Sequence, residues 1–336
     1  MLRIFSFLFF VTLLPSWSSA SDSSFSPPYN AGIARLSVAD ADGSFDTMIW
    51  YPIAGAEKAW QAGPFTVAAT LNAPIASGKT FPIVLLSHGS GGTPMAHREL
   101  AASLARSGLV VVAPLHLGDA AGHPRMKPQA KVLITRPQQA KEAMAAALAD
   151  QRFSGSVDAN RMGMIGYSAG GYTGLILAGA KADFQLASDY CAGEGRKDAG
   201  SCGPSDRPPT PEARDLIADW QSPTEPRLKA LILMDPLAIL FDEKGLTEVG
   251  IPTQLFRPKD DAYLNASHNA LALSRDLPSR PIPIVIPGQH FIFIDPCPDL
   301  LMKEAPQICR DDVGVDRPSV HLQLQADVAK FLHEHL

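Results

Sequence analysis

The stretch Met162-Gly163-Met164-Ile165-Gly166-Tyr167-Ser168-Ala169-Gly170-Gly171 decides the fold of this 336-residue chain. Its first half is an apolar run typical of a buried strand, and the residues after Ser168 begin a helical pattern. Between them lies Gly-x-Ser-x-Gly, which in a strand-to-helix context predicts a sharp turn that presents the serine at the carboxyl end of a sheet. A β-carbon at Gly166 or Gly170 would collide with the adjoining strand and helix, so both positions need glycine. The stretch therefore predicts an α/β fold with Ser168 as a nucleophile.

Apolar runs and helical patterns alternate on both sides of this motif, which predicts a mainly parallel sheet with helices on both faces. The predicted strands are residues 81–87, 109–113, 162–166, 228–234, 253–256 and 282–286. The predicted helices are residues 96–106, 137–152, 169–180, 266–275 and 319–336. Residues 32–40 and 44–51 alternate in polarity around Asp42-Gly43, which predicts an antiparallel hairpin at the N-terminal edge of the sheet.

A glycine-rich loop, Ser87-His88-Gly89-Ser90-Gly91-Gly92, follows the first of the alternating strands. In such a fold, a backbone N–H of this loop and the N–H of the residue after the serine can together bind an oxyanion. We assign these two donors to Ser90 and Ala169, with Gly89 or Gly91 as alternatives to Ser90. Ala169 also begins a helix, whose dipole favours negative charge at that end.

His290 is the predicted general base. It lies in Val285-Ile286-Pro287-Gly288-Gln289-His290-Phe291, on a glycine-containing loop after the last apolar run. This is where the base belongs when the triad follows the order serine, acid, histidine. A neutral imidazole can take the serine proton and return it to the leaving group. His88 at a strand end is expected to be structural, whereas Tyr167 and His116 are candidates to contact substrate.

Three aspartates are candidates for the acid that orients the histidine. Asp260 and Asp261 come just after the predicted strand of residues 253–256, and Asp235 ends the strand before it. We prefer Asp261, because a position further along the turn better suits a carboxylate that must reach His290. The aspartates that are not the acid would be solvated turn carboxylates or helix caps.

Together these residues resemble the dienelactone-hydrolase-like branch of the α/β hydrolases, and more distantly plasma-type platelet-activating-factor acetylhydrolases and bacterial polyester hydrolases. The resemblance is carried by residues 48–52, 88–89, 166–171, 254–261 and 288–293, and by the closing segment with Cys297 and Cys309 before Arg317.

This resemblance implies an α/β-hydrolase fold with Ser168 as nucleophile, His290 as base and Asp261 as acid. The acetylhydrolase pattern favours Asp235 instead. True dienelactone hydrolases carry cysteine where this chain has Ser168, so the chain departs from that pattern at the nucleophile itself.

The four cysteines fall into two local pairs, Cys191 with Cys202 and Cys297 with Cys309. In an oxidising compartment we expect two disulfides, each worth about 3 kcal/mol in the loop-entropy model. The competing use of cysteine and histidine is metal binding, but neither Cys-x-x-Cys nor His-Glu-x-x-His occurs in the sequence. We therefore expect neither a metal nor any other cofactor.

Residues 183–227 interrupt the alternation of strands and helices. Glycine, proline and charged residues concentrate between Gly193 and Pro211, and Cys191 and Cys202 lie in the same stretch. A long insertion in a compact domain is usually functional or disordered. It predicts a lid or small cap over the site, with a disulfide-tied, solvated loop as the alternative.

Residues 1–20 read as a signal peptide, with Arg3, an apolar run at residues 4–14 and the small residues Ser18-Ser19-Ala20. The alternative is an uncleaved anchor, but the run has about half of the ~20 residues that a spanning helix needs. Cleavage predicts a secreted or periplasmic protein that begins near Ser21 and has no stable membrane span. The net charge is −5 with scattered basic residues, which argues against a nucleic-acid partner.

These features predict an exported serine hydrolase that cleaves small-molecule or lipid-like carboxylic esters through an acyl-enzyme. A peptidase or an acyltransferase on the same fold would share the triad. A non-catalytic secreted binding protein is the alternative from another class, and it would not react with a fluorophosphonate.

Overall fold

The computed structural model describes residues 27–41, 43–203 and 210–336. The predicted signal peptide and Asp42 of the predicted hairpin turn lie outside the described residues. Within them, no helix is both long enough and apolar enough to cross a membrane.

Nine of the strands in the described residues form one sheet, in the order β11-β10-β9-β8-β6-β7-β2-β1-β5, and β3 pairs with β4 separately. The strands are β1 (Asn30–Asp40), β2 (Gly43–Ile53), β3 (Trp60–Ala62), β4 (Phe65–Val67), β5 (Thr70–Leu71), β6 (Phe81–Ser87), β7 (Val110–Pro114), β8 (Val157–Tyr167), β9 (Leu228–Met234), β10 (Thr253–Pro258) and β11 (Ile284–Ile286). All neighbours from β7 to β11 pair in parallel, whereas β1 and β2 form an antiparallel hairpin that joins β7. The predicted fold class is confirmed.

Helices cover both faces of this sheet. They are α1 (Arg98–Arg106), α2 (Gln129–Ala149), α3 (Ala169–Leu177), α4 (Phe184–Ala192), α5 (Ala199–Cys202), α6 (Pro211–Asp219), α7 (Glu243–Leu246), α8 (Ala270–Asp276), α9 (Asp299–Glu304), α10 (Pro306–Cys309) and α11 (Arg317–His335). Short 3₁₀ turns occupy Pro94–His97, Glu194–Lys197 and His290–Phe293.

The strand β6 illustrates how one apolar run serves two cores. Ile83 and Leu85 are buried on the face that α2 and α3 cover, and Val84 and Leu86 are buried on the face that α1 and α11 cover. Successive side chains of a strand point to opposite faces, so a strand covered on both sides must be apolar throughout.

The prediction that the second helix begins at Pro137 was wrong, because α2 begins at Gln129 and contains Pro137 in its interior. Proline is tolerated best in the first turn of a helix, which made Pro137 the natural start from sequence. The eight residues that the prediction left out include Arg136, which is fully buried.

Both predicted disulfides are formed, Cys191–Cys202 and Cys297–Cys309. The first ties α4 to α5 inside the insertion of residues 183–227. This insertion is largely helical in its described part, since α4, α5 and α6 occupy most of it.

Five loops leave the sheet at the carboxyl ends of β6, β8, β9, β10 and β11. Because these strands are parallel, their carboxyl ends lie along one edge of the sheet. The glycine-rich loop, Ser168, Asp235, Asp261 and His290 therefore all lie on this edge.

Candidate active site

Ser168 lies in a strained turn between β8 and α3. Its φ is 54° and its ψ is −118°, values that an L-residue rarely adopts. A β-carbon on Gly170 would lie 1.9 Å from the carbonyl oxygen of Ser87, and one on Gly166 would lie 2.2 Å from the carbonyl oxygen of Gly170. Only glycine fits at either position, so the Gly-x-Ser-x-Gly spacing allows strand, turn and helix to meet this closely.

Ser168, His290 and Asp235 form a continuous chain of hydrogen bonds. The His290 Nε2 atom lies 3.1 Å from Ser168 Oγ, and His290 Nδ1 lies 2.5 Å from Asp235 Oδ2. The three residues are buried, with exposed fractions of 7% for Ser168, 2% for His290 and 1% for Asp235. A nucleophile beside a base that a third group orients is the arrangement of nucleophilic catalysis.

Of the three candidate acids, Asp235 makes the direct hydrogen bond to His290, and the preference for Asp261 is corrected in this respect. Asp261 Oδ2 lies 3.8 Å from His290 Nδ1, and Asp260 is exposed to solvent. Asp235 directly follows β9 with a φ of 43°, so the chain bends sharply there and brings the carboxylate to the imidazole. Position along a turn, on which the preference for Asp261 rested, does not reveal such a bend.

The two carboxylates change the protonation of the histidine and of each other. Burial by itself would lower the pKa of His290, but the hydrogen bond to Asp235 and the nearby carboxylate of Asp261 outweigh it and raise that pKa to about 9. Burial raises the pKa of Asp235 to about 7, and the neighbouring Asp261 adds to the increase against the opposing effect of His290. Burial would raise the pKa of Asp261, but the neighbouring His290 and Asp235 and the N–H of Tyr263 outweigh it and lower that pKa.

The glycine-rich loop after β6 presents a limited set of N–H groups to the serine. Gly91 donates its N–H to the carbonyl oxygen of Asp119 at 3.0 Å, and Gly92 donates to that of Gly89 at 3.0 Å. Among the hydrogen bonds of the described residues, none uses the N–H of Ser90 or of Ala169. Gly91, one of the alternatives from sequence, is therefore engaged elsewhere.

Arg136 supports the start of this loop through hydrogen bonds, a role that was not predicted from the sequence. Its guanidinium is fully buried and donates to Asp119 Oδ2 at 2.6 Å, to Ser87 Oγ at 3.1 Å and to the carbonyl oxygen of His88. Asp119 in turn accepts the hydroxyl of Ser90 at 2.7 Å. Little in the sequence signalled this role, because the predicted second helix began at Pro137 and left Arg136 outside it.

His116, which was predicted to contact substrate, has its side chain fully buried beneath the same loop, and its contact with substrate stays a prediction. Its Nε2 atom lies 2.8 Å from Ser87 Oγ, and its backbone N–H donates to His88 Nε2. Burial and the charge of Arg136 hold the pKa of both histidines well below 6.5. Both therefore remain neutral parts of the scaffold, as expected from sequence for His88.

Tyr167 is likewise buried, with 3% of its surface exposed. Its hydroxyl donates to the carbonyl oxygen of His290 at 3.1 Å, and its ring lies 5.0 Å from the imidazole. The residue thus fixes the loop that carries His290. Its predicted contact with substrate stays a prediction.

Tyr263 is an aromatic residue at the site that the sequence analysis did not consider. It is 38% exposed, and its ring centroid lies 4.7 Å from that of His290. Its carbonyl oxygen accepts the N–H of Gly200 in α5 at 3.0 Å, so it joins the insertion to the site. Its position two residues after Asp261 was the available signal.

Within the described residues, one group of side chains has potential metal-ligand atoms that all lie within 4.8 Å of one another. It consists of Asp235, Asp261 and His290. His290 Nδ1 is already hydrogen-bonded to Asp235 Oδ2 at 2.5 Å, and its Nε2 lies 3.1 Å from Ser168 Oγ. A cation there would have to break this hydrogen-bonded chain, so the arrangement suits proton transfer better than metal binding.

Residues 58–132 match the family model of platelet-activating factor acetylhydrolase, isoform II. The matched part includes β6, β7 and the glycine-rich loop. No curated protein matches the chain. Among solved structures, the chain is similar to the ferulic acid esterase from Streptomyces cinnamoneus, with 16% sequence identity, a TM-score of 0.55, and coverage of 92% of this chain and 91% of that chain. At this identity the likeness concerns the fold.

Proposed function

We propose that this chain cleaves carboxylic esters through an acyl-enzyme on Ser168. The family match and the fold support a serine esterase of the α/β-hydrolase class. The observation that carries the proposal is the buried chain of hydrogen bonds from Ser168 through His290 to Asp235. It supplies a nucleophile, a base and an orienting acid in contact with one another.

In the proposed reaction, Ser168 Oγ attacks the ester carbonyl while His290 Nε2 takes the hydroxyl proton. Asp235 holds the other ring nitrogen of His290 as the N–H form and stabilises the imidazolium that results. The N–H groups of Ser90 and Ala169 bind the oxyanion, and each such donor typically contributes about 3 kcal/mol of transition-state stabilisation.

The tetrahedral intermediate then collapses, and His290 returns the proton to the leaving alcohol as the bond to it breaks. Water enters, loses a proton to His290 and attacks the acyl group on Ser168. The acid product leaves, and the proton returns to the serine oxygen. No cofactor takes part in this sequence.

The insertion of residues 183–227 is proposed to act as a cap. The supporting contacts are the hydrogen bond from Gly200 to Tyr263 and one at 3.2 Å from the N–H of Asn265 to Asp198. Ser168 is only 7% exposed, so substrate must enter beside the groups that cover it. A Gly200→Ala variant, whose β-carbon would lie 2.3 Å from the carbonyl oxygen of Tyr263, should shift α5. Its KM for long-chain esters should change more than its KM for acetate esters.

Export is also part of the proposal. The two disulfides support an oxidising compartment, because cytosolic proteins rarely keep such bonds. Expression of the full chain in a secreting host, followed by N-terminal sequencing, should give a mature protein that begins near Ser21. A chain retained at full length in the membrane fraction would instead support the uncleaved anchor.

The central test is labelling with a fluorophosphonate, peptide mapping of the adduct, and hydrolysis of p-nitrophenyl esters of graded chain length. The panel should include an acetyl ester and a ferulic acid ester, which the names of the two matches suggest. Adduct on Ser168, together with turnover that Ser168→Ala abolishes, would support the proposal. Folded protein without adduct would refute it in favour of a binding protein, and faster amide cleavage or acyl transfer would favour the peptidase or acyltransferase.

A further inference from the structure

Asp261 is held rigidly beside His290 although it does not make the direct hydrogen bond. The segment before it is tied to the His290 loop by hydrogen bonds from Lys259 N–H to the carbonyl oxygen of Ile286 at 2.8 Å and from Asp260 N–H to that of Gly288 at 3.1 Å. The Asp261 Oδ1 atom accepts the N–H groups of residues 263 and 264 at 2.6 and 3.2 Å. One oxygen of this carboxylate therefore fixes its orientation.

The other oxygen of Asp261 has no hydrogen-bond partner, although it is buried. The side chain is 3% exposed, and Oδ2 lies 3.8 Å from His290 Nδ1. A buried carboxylate oxygen without a donor is unfavourable, so its retention calls for an explanation. The His290 Nδ1 atom, which is hydrogen-bonded to Asp235, lies 3.8 Å from this oxygen and is a donor that it could accept from after a small shift.

We propose that Asp235 and Asp261 together orient His290. Asp261 is a second positioning residue, which accepts the hydrogen bond from the His290 Nδ1–H group whenever Asp235 does not. The inference rests on the proposed function, since it concerns how that histidine works. A shift of about 1 Å would bring Asp261 Oδ2 from 3.8 Å to hydrogen-bonding distance. Because the two aspartates follow neighbouring strands, β9 and β10, such a shift requires no rearrangement of the sheet.

The electrostatics of the pair agree with this role. One imidazolium can neutralise only one of two neighbouring carboxylates, so their titrations are coupled. Burial raises the pKa of Asp235 to about 7, and the neighbouring Asp261 adds to this increase. Asp235, whose pKa is raised, is therefore the more easily protonated carboxylate of the pair, and Asp261, whose pKa is lowered, is the one that more readily stays ionised. Tyr167 and Tyr263 lie beside the cluster, and the charged residues that act on these two tyrosines are Arg317, Arg125, Asp119 and Asp198.

The test compares kcat/KM on the best ester of the panel for Asp235→Asn, Asp261→Asn and the double variant. Loss of the only acid of a triad typically costs about 10⁴-fold. With Asp261 as a second acid, we expect Asp235→Asn to lose about 10- to 100-fold, Asp261→Asn less than about 10-fold, and the double variant about 10⁴-fold. The double loss would thus exceed the product of the single losses.

Asparagine at 261 keeps an Oδ1 acceptor for the turn, so the variant removes charge with little effect on folding. The exposed Asp260→Asn on the same loop is the matched control and should leave kcat/KM unchanged. The pH profile supplies a readout that a merely structural role would not move. Loss of the Asp261 charge should lower the pKa of His290, so the rising limb of kcat/KM should move to lower pH in Asp261→Asn but not in Asp260→Asn.

The inference is overturned if Asp235→Asn alone costs about 10⁴-fold and the double variant is no worse, or if the single losses simply multiply. An unshifted pH profile in Asp261→Asn also overturns it. Ser168→Ala and the fluorophosphonate adduct test the proposed function separately. Activity that survives Ser168→Ala would refute the proposed function. If Ser168→Ala abolishes activity but the effects of Asp235→Asn and Asp261→Asn are independent, only the role of Asp261 as a second acid is refuted.

Discussion

Replacement of Arg136 by methionine should destabilise the protein by about 3–5 kcal/mol, because breaking a buried ion pair leaves its partner charge uncompensated. The guanidinium is fully buried and lies 2.6 Å from Asp119, which is itself 1% exposed. The change also removes the donors to Ser87 Oγ and to Thr173 Oγ1, at 3.1 and 3.2 Å. Asp119 keeps Ser90 and the half-exposed Arg125 as partners, so we expect the lower half of the range.

Urea unfolding monitored by tryptophan fluorescence measures this loss. The midpoint should fall while the m-value stays unchanged, since the native state buries nearly the same surface. Arg125→Met is the matched control. It removes the other arginine beside Asp119, 3.3 Å away, but its side chain is 52% exposed, so the cost should stay below about 1 kcal/mol.

Activity provides a second readout of the same variant. Arg136 holds the carbonyl oxygen of His88 and, through Asp119, the hydroxyl of Ser90. A looser loop should lower kcat more than it raises KM, because the oxyanion contact is made in the transition state. A free energy of unfolding for Arg136→Met within about 1 kcal/mol of wild type would refute the reasoning, since no buried pair would then have been broken.

Four further outcomes are expected. The pKa of His290 is raised from 6.5 to about 9, and only the neutral imidazole can accept the serine proton. The rising limb of the pH profile of kcat/KM should therefore lie in the alkaline range. An apparent pKa at or below 6.5 in this profile would contradict the role of the carboxylates. By linkage, this raised pKa adds stability that is fully present below pH 6.5 and is lost as the pH rises through about 9, which urea midpoints across that range can measure. Gly170→Ala should abolish soluble folded protein or activity, because its β-carbon would lie 1.9 Å from a carbonyl oxygen, whereas Gly250→Ala, with nothing within 4 Å, should be neutral by circular dichroism and esterase assay. Replacement of both Cys191 and Cys202 by alanine should cost about 3 kcal/mol in unfolding free energy, and an unchanged urea midpoint would show that the bond adds no stability.

The elements that sequence predicted well are those whose signals are local. The strand before Ser168, the turn and the helix after it are encoded within ten consecutive residues, and the collisions at Gly166 and Gly170 give the physical reason. The two disulfides join cysteines 11 and 12 residues apart, so their pairing also followed from local spacing. The start of α2 was less accessible, because the tertiary structure accommodates Pro137 inside the helix.

The sequence alone determined the class of fold and the adjacency of Ser168 to His290, since each lies on a loop at the carboxyl end of a parallel strand. Only the tertiary structure shows which of Asp235 and Asp261 hydrogen-bonds to His290. Both follow neighbouring strands, and the difference between 2.5 and 3.8 Å depends on a backbone bend at Asp235 that no residue pattern announces. The burial of His116 and the contacts of Arg136 with the glycine-rich loop also depend on tertiary structure. Arg136 and His88, for example, are 48 residues apart and meet only after the sheet and α2 have packed.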